Sequence, residues 1–397
     1  MAAEGPARGT PVVRSEWAAI FLLFLLLGLV TAAPGAALPS LRHAYGLSDQ
    51  GGGWLVSAYK LGALAAILVC GFGNRYFSRK TALRALLVLF AAGAVVMGVA
   101  QAWFLFYAAT VVAGAGYGGL VLYLNSIVAQ RTDEKSFLML NLINAVFGVG
   151  AIIGPLAVSA AGGYVNLVFL AAGVLAPLVV KVGNLTHASP ARARRTPNPF
   201  KPLNPLVLAF VFLGLFYAGM ETGVGAWEAT HLSRVGYSAS AAELLSSLFW
   251  VGLCVGRFVI PLVTRTRSPY GITGFSLVAA TASLLVAASP DLAPAAYAAC
   301  GFFLAPVLPA ILKWIAETVE DNQTANSLMF TSSMVGSVLL PGFIVAADDL
   351  PAPSAIPFSM ALIGVLAMAT ALLVPVVARR AGAPGAGGRA EPSRRKE

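Results

Sequence analysis

Lys60 and Glu221 both fall inside long apolar runs, a few residues from the middle of each. A charge at that depth in a bilayer costs at least about 2.5 to 3.5 kcal/mol, so such groups face a cavity or a partner. Counted inward from the run ends at about 1.5 Å per residue, the two reach nearly the same depth. That predicts either an ion pair between them when the outer side closes, or a Lys60 that snorkels alone and a Glu221 held in a fixed structural hydrogen bond. A carboxylate so placed can take up a proton and release its partner, which makes Glu221 and Lys60 the candidates for proton coupling or gating. No other ionisable group is expected near mid-membrane. A second kind of chemistry comes from amides and aromatics. Tyr123, Asn125, Asn141, Asn144 and Trp227 could hydrogen-bond hydroxyls and stack on the apolar faces of a small polar ligand, with Trp314 and Lys313 as further candidates. Asn125 and Asn144 lead this group, because an amide deep in an apolar run needs a partner; hydrogen bonding between helices explains them equally well.

Other chemistries have no signal. The chain carries no G-x-x-x-x-G-K-[ST] loop and no metal-spaced His or Cys cluster, so neither ATP hydrolysis, a membrane enzyme, a metal nor a cofactor is indicated. His43, His187 and His231 fall at or beyond the ends of apolar runs and are expected in solvent. Cys70, Cys254 and Cys300 lie within runs and are odd in number, which reads as small packing residues. Lys313 and Glu317, one turn apart, predict a local ion pair.

The elements that must position these residues are apolar helices. Hydrophobic residues make up 58% of the chain and charged ones 11%, against about a quarter charged in soluble proteins. Twelve stretches reach the roughly 20-residue length of a spanning helix, at 17–37, 52–72, 81–101, 103–129, 137–161, 164–183, 205–231, 239–264, 269–289, 292–315, 322–347 and 353–378. A bilayer accepts helices or closed barrels, and these runs lack the alternation of barrel strands, so the fold class is an all-α membrane protein. The first run, after Arg8 and Arg14, resembles a secretory signal, but its loss would leave eleven spans, so a retained helix is expected.

The twelve divide into six-helix halves at 17–183 and 205–378, preceded by a terminus at 1–16. A Pro- and Arg-rich linker at 184–204 joins the halves, and a Gly, Pro and Arg tail at 379–397 is expected to be disordered. Of the 26 Lys and Arg, 23 belong to one set of alternate loops and the termini, which places both termini in the cytoplasm of a cell membrane. The net charge of +10 is explained by that topology, and no nucleic-acid partner follows from it. Gly114, Gly116, Gly118 and Gly119 in span four, and Gly148, Gly150 and Gly154 in span five, predict close helix packing.

Two six-span halves around a cytoplasmic linker resemble the major facilitator superfamily. The loop after span two, Gly71-Phe-Gly-Asn-Arg75-Tyr-Phe-Ser-Arg79-Lys80, is similar to the superfamily's Gly-x-x-x-Asp-Arg-x-Gly-Arg-Lys motif without its acidic residue, and Gly256 and Arg257 repeat it loosely. The resemblance implies that Arg75, Arg79, Lys80 and Arg257 form a cytoplasmic gate loop. A finer likeness, to the fucose, galactose and glucose:proton symporters, rests on four pieces. They are Leu38-Pro-Ser-Leu-Arg42 to Tyr45-Gly-Leu-Ser48, Asn144 to Pro155, Glu221 to Trp227, and Phe249-Trp-Val-Gly-Leu-Cys-Val-Gly-Arg257. It implies proton-coupled transport of a sugar or related small polar solute by a monomer. Gly35 and Val121 occupy the positions where that branch carries coupling carboxylates, so its coupling scheme does not transfer residue by residue. The Gly150 to Pro155 element also resembles drug antiporters, which keeps efflux as an alternative, with a non-transporting binding protein as a further one.

Overall fold

The computed structural model of the chain describes residues 14–48, 52–73, 78–129, 135–179, 204–263, 268–344 and 352–380. The linker and the tail lie outside these residues except for Asn204, Arg379 and Arg380. Among the described residues the secondary structure is helical throughout, with no strand.

The first half contains α1 (Arg14–Tyr45), α2 (Leu55–Gly73), α3 (Arg79–Val99), α4 (Trp103–Ala129), α5 (Lys135–Ala160) and α6 (Asn166–Leu175). The second contains α7 (Pro205–Arg234), α8 (Ala239–Leu245), α9 (Ser247–Val263), α10 (Pro269–Val286), α11 (Ala293–Leu304), α12 (Val307–Thr318), α13 (Asn322–Phe343) and α14 (Ala355–Arg380). Among the described residues nine helical segments are individually long and apolar enough to cross a membrane. The shorter apolar stretches Leu55–Cys70 and Asn166–Val179, with the serine-bearing α13, complete twelve spans.

Spans eight and ten each consist of two helices. Span ten breaks before Val307 because Pro306 has no N–H for the carbonyl of Phe302. That carbonyl faces Gly256 of α9 so closely that a Cβ there would stand 2.3 Å from it. Span one differs from expectation in length. The helix runs on through Pro34 and Pro39 to Tyr45, so Leu38 to Arg42 are helical rather than part of a loop. It stops at Gly46, whose φ of +61° lets the Leu47 N–H reach back to the Arg42 carbonyl at 2.9 Å. Span seven ends in the same way, with Gly236 at φ +106° and the Tyr237 N–H on the Leu232 carbonyl at 3.1 Å. Likewise Ser78 caps α3 and Ser268 caps α10, the matching helix of the other half.

Each half has its own apolar core, one drawn from Ala19 to Val179 and the other from Leu206 to Ala378, with Val56 of α2 reaching into the second. Packing inside the halves follows one scheme twice. Helix α1 lies against α5 as α7 lies against α13, and α2 against α4 as α9 against α11. Lipid gives apolar side chains no reason to associate, so these contacts depend on close backbone approach at small residues. A Cβ on Gly150 of α5 would stand 2.0 Å from the Leu25 carbonyl oxygen of α1, and one on Gly336 of α13 would stand 2.0 Å from that of Leu215 of α7. Of the glycines singled out in spans four and five, Gly114, Gly116, Gly118, Gly150 and Gly154 make such backbone approaches, while Gly119 meets the Leu86 side chain and Gly148 the Cys254 sulfur.

Gly336→Ala is therefore expected to cost about 1 to 3 kcal/mol by overpacking and to lower the melting temperature in detergent. Gly274→Ala in α10, where nothing lies within 4 Å of the added Cβ, is expected to leave it unchanged or raised.

Candidate functional site

The two halves meet from mid-depth to the face opposite the chain ends. Gly35 of α1 lies against Gly225 of α7, where a Cβ would be 2.0 Å from the Gly225 carbonyl oxygen. Ser40 of α1 donates to Glu243 of α8, a buried carboxylate. Arg42 sits over the Trp227 ring at 5.9 Å. The Ser159 hydroxyl of α5 donates to the Ser240 carbonyl of α8 at 2.9 Å, with the two hydroxyls 3.1 Å apart. Trp54 packs on Gly342, and Gly148 faces Cys254 at mid-depth. Together these contacts close the far face.

On the chain-end side of that closure the polar candidates fall into two groups. In the first half the Asn144 amide donates to the Asn125 carbonyl oxygen at 3.5 Å, and Asn125 donates to the Val121 carbonyl at 2.8 Å. Asn144 is exposed. An exposed amide at membrane depth has no hydrogen-bond partner in lipid, so this face lines a wet space rather than the bilayer. Lys60 of α2 lies 5.3 Å over the ring of Tyr117 of α4, which packs with Tyr59 and Phe147. In the second half Glu221 accepts from the Tyr217 hydroxyl one turn earlier on α7, and Arg257 of α9, exposed, lies within electrostatic reach of that hydroxyl.

The expected ion pair between Lys60 and Glu221 is not formed, although the far face is closed. Each group finds a partner in its own half, Lys60 through a cation–π contact worth roughly 0.5 to 2 kcal/mol and Glu221 through a phenol hydroxyl. Trp227 and Tyr123 also depart from a ligand-stacking position. Trp227 is 0% exposed, and its indole N–H donates to the Pro341 carbonyl at 2.8 Å, one of the unpaired carbonyls in the last turn of α13. Tyr123 is buried in the first core, and Trp314 is buried against Phe210 and Tyr270. Lys313 and Glu317 form the expected pair at 3.8 Å. Lys80 is exposed near the start of α3, while Arg75 and the side chains of Arg79 and Asn141 lie outside the described residues.

Three buried acidic or imidazole groups escaped the sequence reading: Glu243, engaged by Ser40, and two on α7. Glu228 is 1% exposed with neither carboxylate oxygen hydrogen-bonded, and His231, expected in solvent, is 0% exposed with Nδ1 3.0 Å from the Tyr297 hydroxyl of α11. Helix α7 continues to Arg234, which draws His231 into the bundle. The signal was the spacing itself: seven residues from Glu221 to Glu228 and three on to His231 keep all three close to one helix face.

A family model of the Major Facilitator Superfamily matches residues 20–341. The chain belongs to the Major Facilitator Superfamily. The efflux pump patC of Aspergillus clavatus is 33% identical over 138 residues, which is 32% of this chain and 25% of that protein. The matched stretch spans about a quarter of the length of the first curated relatives. A bacterial homologue of the human lysosomal transporter Spinster, solved inward-facing and occupied, superposes with TM-score 0.66 at 17% identity over 94% of this chain and 96% of that one. The fucose:proton symporter of E. coli gives 0.58 at 19% over 91% and 98%. At these identities the structural likeness establishes the fold.

Oxidation of the double variant Ser159→Cys, Ser240→Cys is expected to form a disulfide across the closed far face, read as a mobility shift on a non-reducing gel after cleavage of the linker. The native cysteines lie within the spans.

Proposed function

We propose that this superfamily member is a secondary active transporter that moves a small polar solute, a sugar or a related metabolite, by alternating access with protons as the coupling ion. One observation carries the reading: the halves are joined across the far face while amides and charges from both halves sit at membrane depth on the chain-end side. An amide pair with Asn144 exposed and Asn125 half-buried is suited to hydroxyls, as a sugar presents them, and Arg257, within electrostatic reach of Tyr217, supplies charge in the other half. In this reading Asn125 and Asn144 hold the solute and Glu221 takes the proton. Lys60 is part of the gate, as are Arg75, Arg79, Lys80 and Arg257 at the chain-end face. The protein works as a monomer in the cell membrane with both termini in the cytoplasm, since one pair of halves makes a complete pathway.

Efflux of a drug or metabolite is the second reading, favoured by the local match to an efflux pump and by the Gly150 to Pro155 element. Proteoliposomes containing a pH-sensitive dye separate the two. External alkalinisation on adding L-fucose, other hexoses or polyols, lost in Glu221→Gln, is the expected result. A response to lipophilic cations alone would overturn it in favour of efflux. For a transported sugar, Asn144→Ala is expected to raise KM about tenfold, the loss of one neutral hydrogen bond of ~1.4 kcal/mol.

A further inference from the structure

Buried polar atoms without a hydrogen-bond partner are concentrated at one place in this protein. Among the described residues eight such side-chain atoms occur, and five of them belong to residues 228 to 233: both oxygens of Glu228, Thr230 Oγ1, His231 Nε2 and Ser233 Oγ. Elsewhere in the spans several hydroxyls are satisfied locally, as Thr31, Thr110, Thr281 and Thr318 each donate to the carbonyl four residues back, while Ser57 and Thr273 each leave a single hydroxyl unpaired. The last turns of α7 are therefore exceptional in leaving several groups unpaired.

Their position gives the exception a direction. A pocket of about 610 Å³ opens on the far face between the ends of α1 and α7, lined by Arg42 and His43 on one side and by Thr230, Ser233 and Arg234 on the other. His231 lies one turn in from Arg234 and is buried, hydrogen-bonded through Nδ1 to Tyr297, and Glu228 is one turn beyond that, on the side of α7 turned away from Thr230 and Ser233. Glu221 follows two turns deeper on nearly the same face. Cys300 of α11 lies within electrostatic reach of both acids. The sequence of groups thus runs from water at the far face to the polar wall at mid-depth.

We propose that Glu228 is a protonation site of this transporter, held as the neutral acid while the far face is closed and reached from the far-face pocket by way of His231. The proposal rests on the transport reading and adds to Glu221 a second residence for the proton, nearer the far face. An ionised carboxylate with no hydrogen bond in an apolar interior is prohibitively costly, whereas the neutral acid is tolerated. The step forms one O–H bond on a Glu228 oxygen with a proton from bulk water and moves no electrons. His231, with Nε2 free, is placed to pass that proton inward. Several groups on neighbouring elements bear on it. Tyr297 and Cys300 of α11 feel the carboxyl directly, Glu243 of α8 is engaged by Ser40, and Arg42 of α1 lies over Trp227, next to Glu228 in sequence. On α7 itself the charged neighbours are Glu221, His231 and Arg234.

Infrared difference spectroscopy of the full-length protein in liposomes tests this without a known solute. At neutral pH the wild type is expected to show the C=O stretch of a protonated carboxyl that Glu228→Gln removes and Glu221→Gln retains. If Glu228→Gln fails to fold, Glu228→Asp must keep the band at a displaced frequency. A band that persists in Glu228→Gln, an undisplaced band in Glu228→Asp, or no such band in the wild type overturns the proposal, as does displacement of the band by sodium at fixed pH. His231→Ala is expected to slow the band's response to a pH jump applied at the far face; an unchanged rate removes His231 from the path. Failure of the transport reading looks different, with the band intact and no flux of L-fucose, other hexoses or lipophilic cations.

Discussion

Lipid cannot accept or donate a hydrogen bond, and the arrangement of this protein follows from that constraint. The backbone meets it by forming helices. Where the helices break, at Ser246 and at Pro306, the loosened groups remain inside the bundle: the Ser246 hydroxyl turns back to the Glu243 carbonyl, and the Phe302 carbonyl is covered by Gly256. Side chains meet it by bonding within their own turn or to a neighbouring helix end, as the Trp227 indole does at Pro341 and as Ser332 and Ser333 do at the carbonyls of Val211 and Gly214. Against that background an exposed amide at Asn144 implies water beside it, and an unpaired carboxyl at Glu228 implies a proton on it.

The same constraint separates what holds each half together from what holds the halves to one another. Inside a half, glycines bring backbones into direct contact along whole helices, as between α1 and α5 or α7 and α13. Between the halves the far-face closure consists of a few hydrogen bonds, one cation–π contact and local glycine contacts, each hydrogen bond worth about 1 kcal/mol. Two rigid bodies joined by weak contacts on one side can rock about the line between them with little internal rearrangement, which is what alternating access requires. Lys60 and Glu221 fit the same division: each is neutralised or hydrogen-bonded inside its own half, so opening the far face separates no ion pair between these two residues.

Much of this was legible in the chain. Twelve apolar runs, the asymmetry of Lys and Arg between alternate loops, and the repeated Gly-Arg element define the spans and the two halves, because span length and loop charge are set by the bilayer one residue at a time. The boundaries of α4 were readable to the residue, and Asn125 and Asn144 could be singled out because a buried amide demands a partner.

What the tertiary structure decided was which partner each group took. Lys60 and Glu221 lie at matching depth in sequence, yet depth fixes only the position along the membrane normal; the rotation of α2 about its axis directs Lys60 to Tyr117 of α4, and Glu221 takes Tyr217 one turn earlier on its own helix. Trp227, a plausible ligand platform by type, is sealed because the end of α13 brings it an unpaired carbonyl. His231 and Glu228, unremarkable near the end of an apolar run, become a buried pair because α7 extends another turn and α11 presents Tyr297 to it. The sequence determined the spans, the halves and the orientation preference, since those follow from the transfer energy of individual residues into lipid. The far-face closure and the chemistry of its interior depend on contacts between residues far apart in the chain, 66 positions for His231 and Tyr297 and 203 for Ser40 and Glu243, which only the packing of the helices creates.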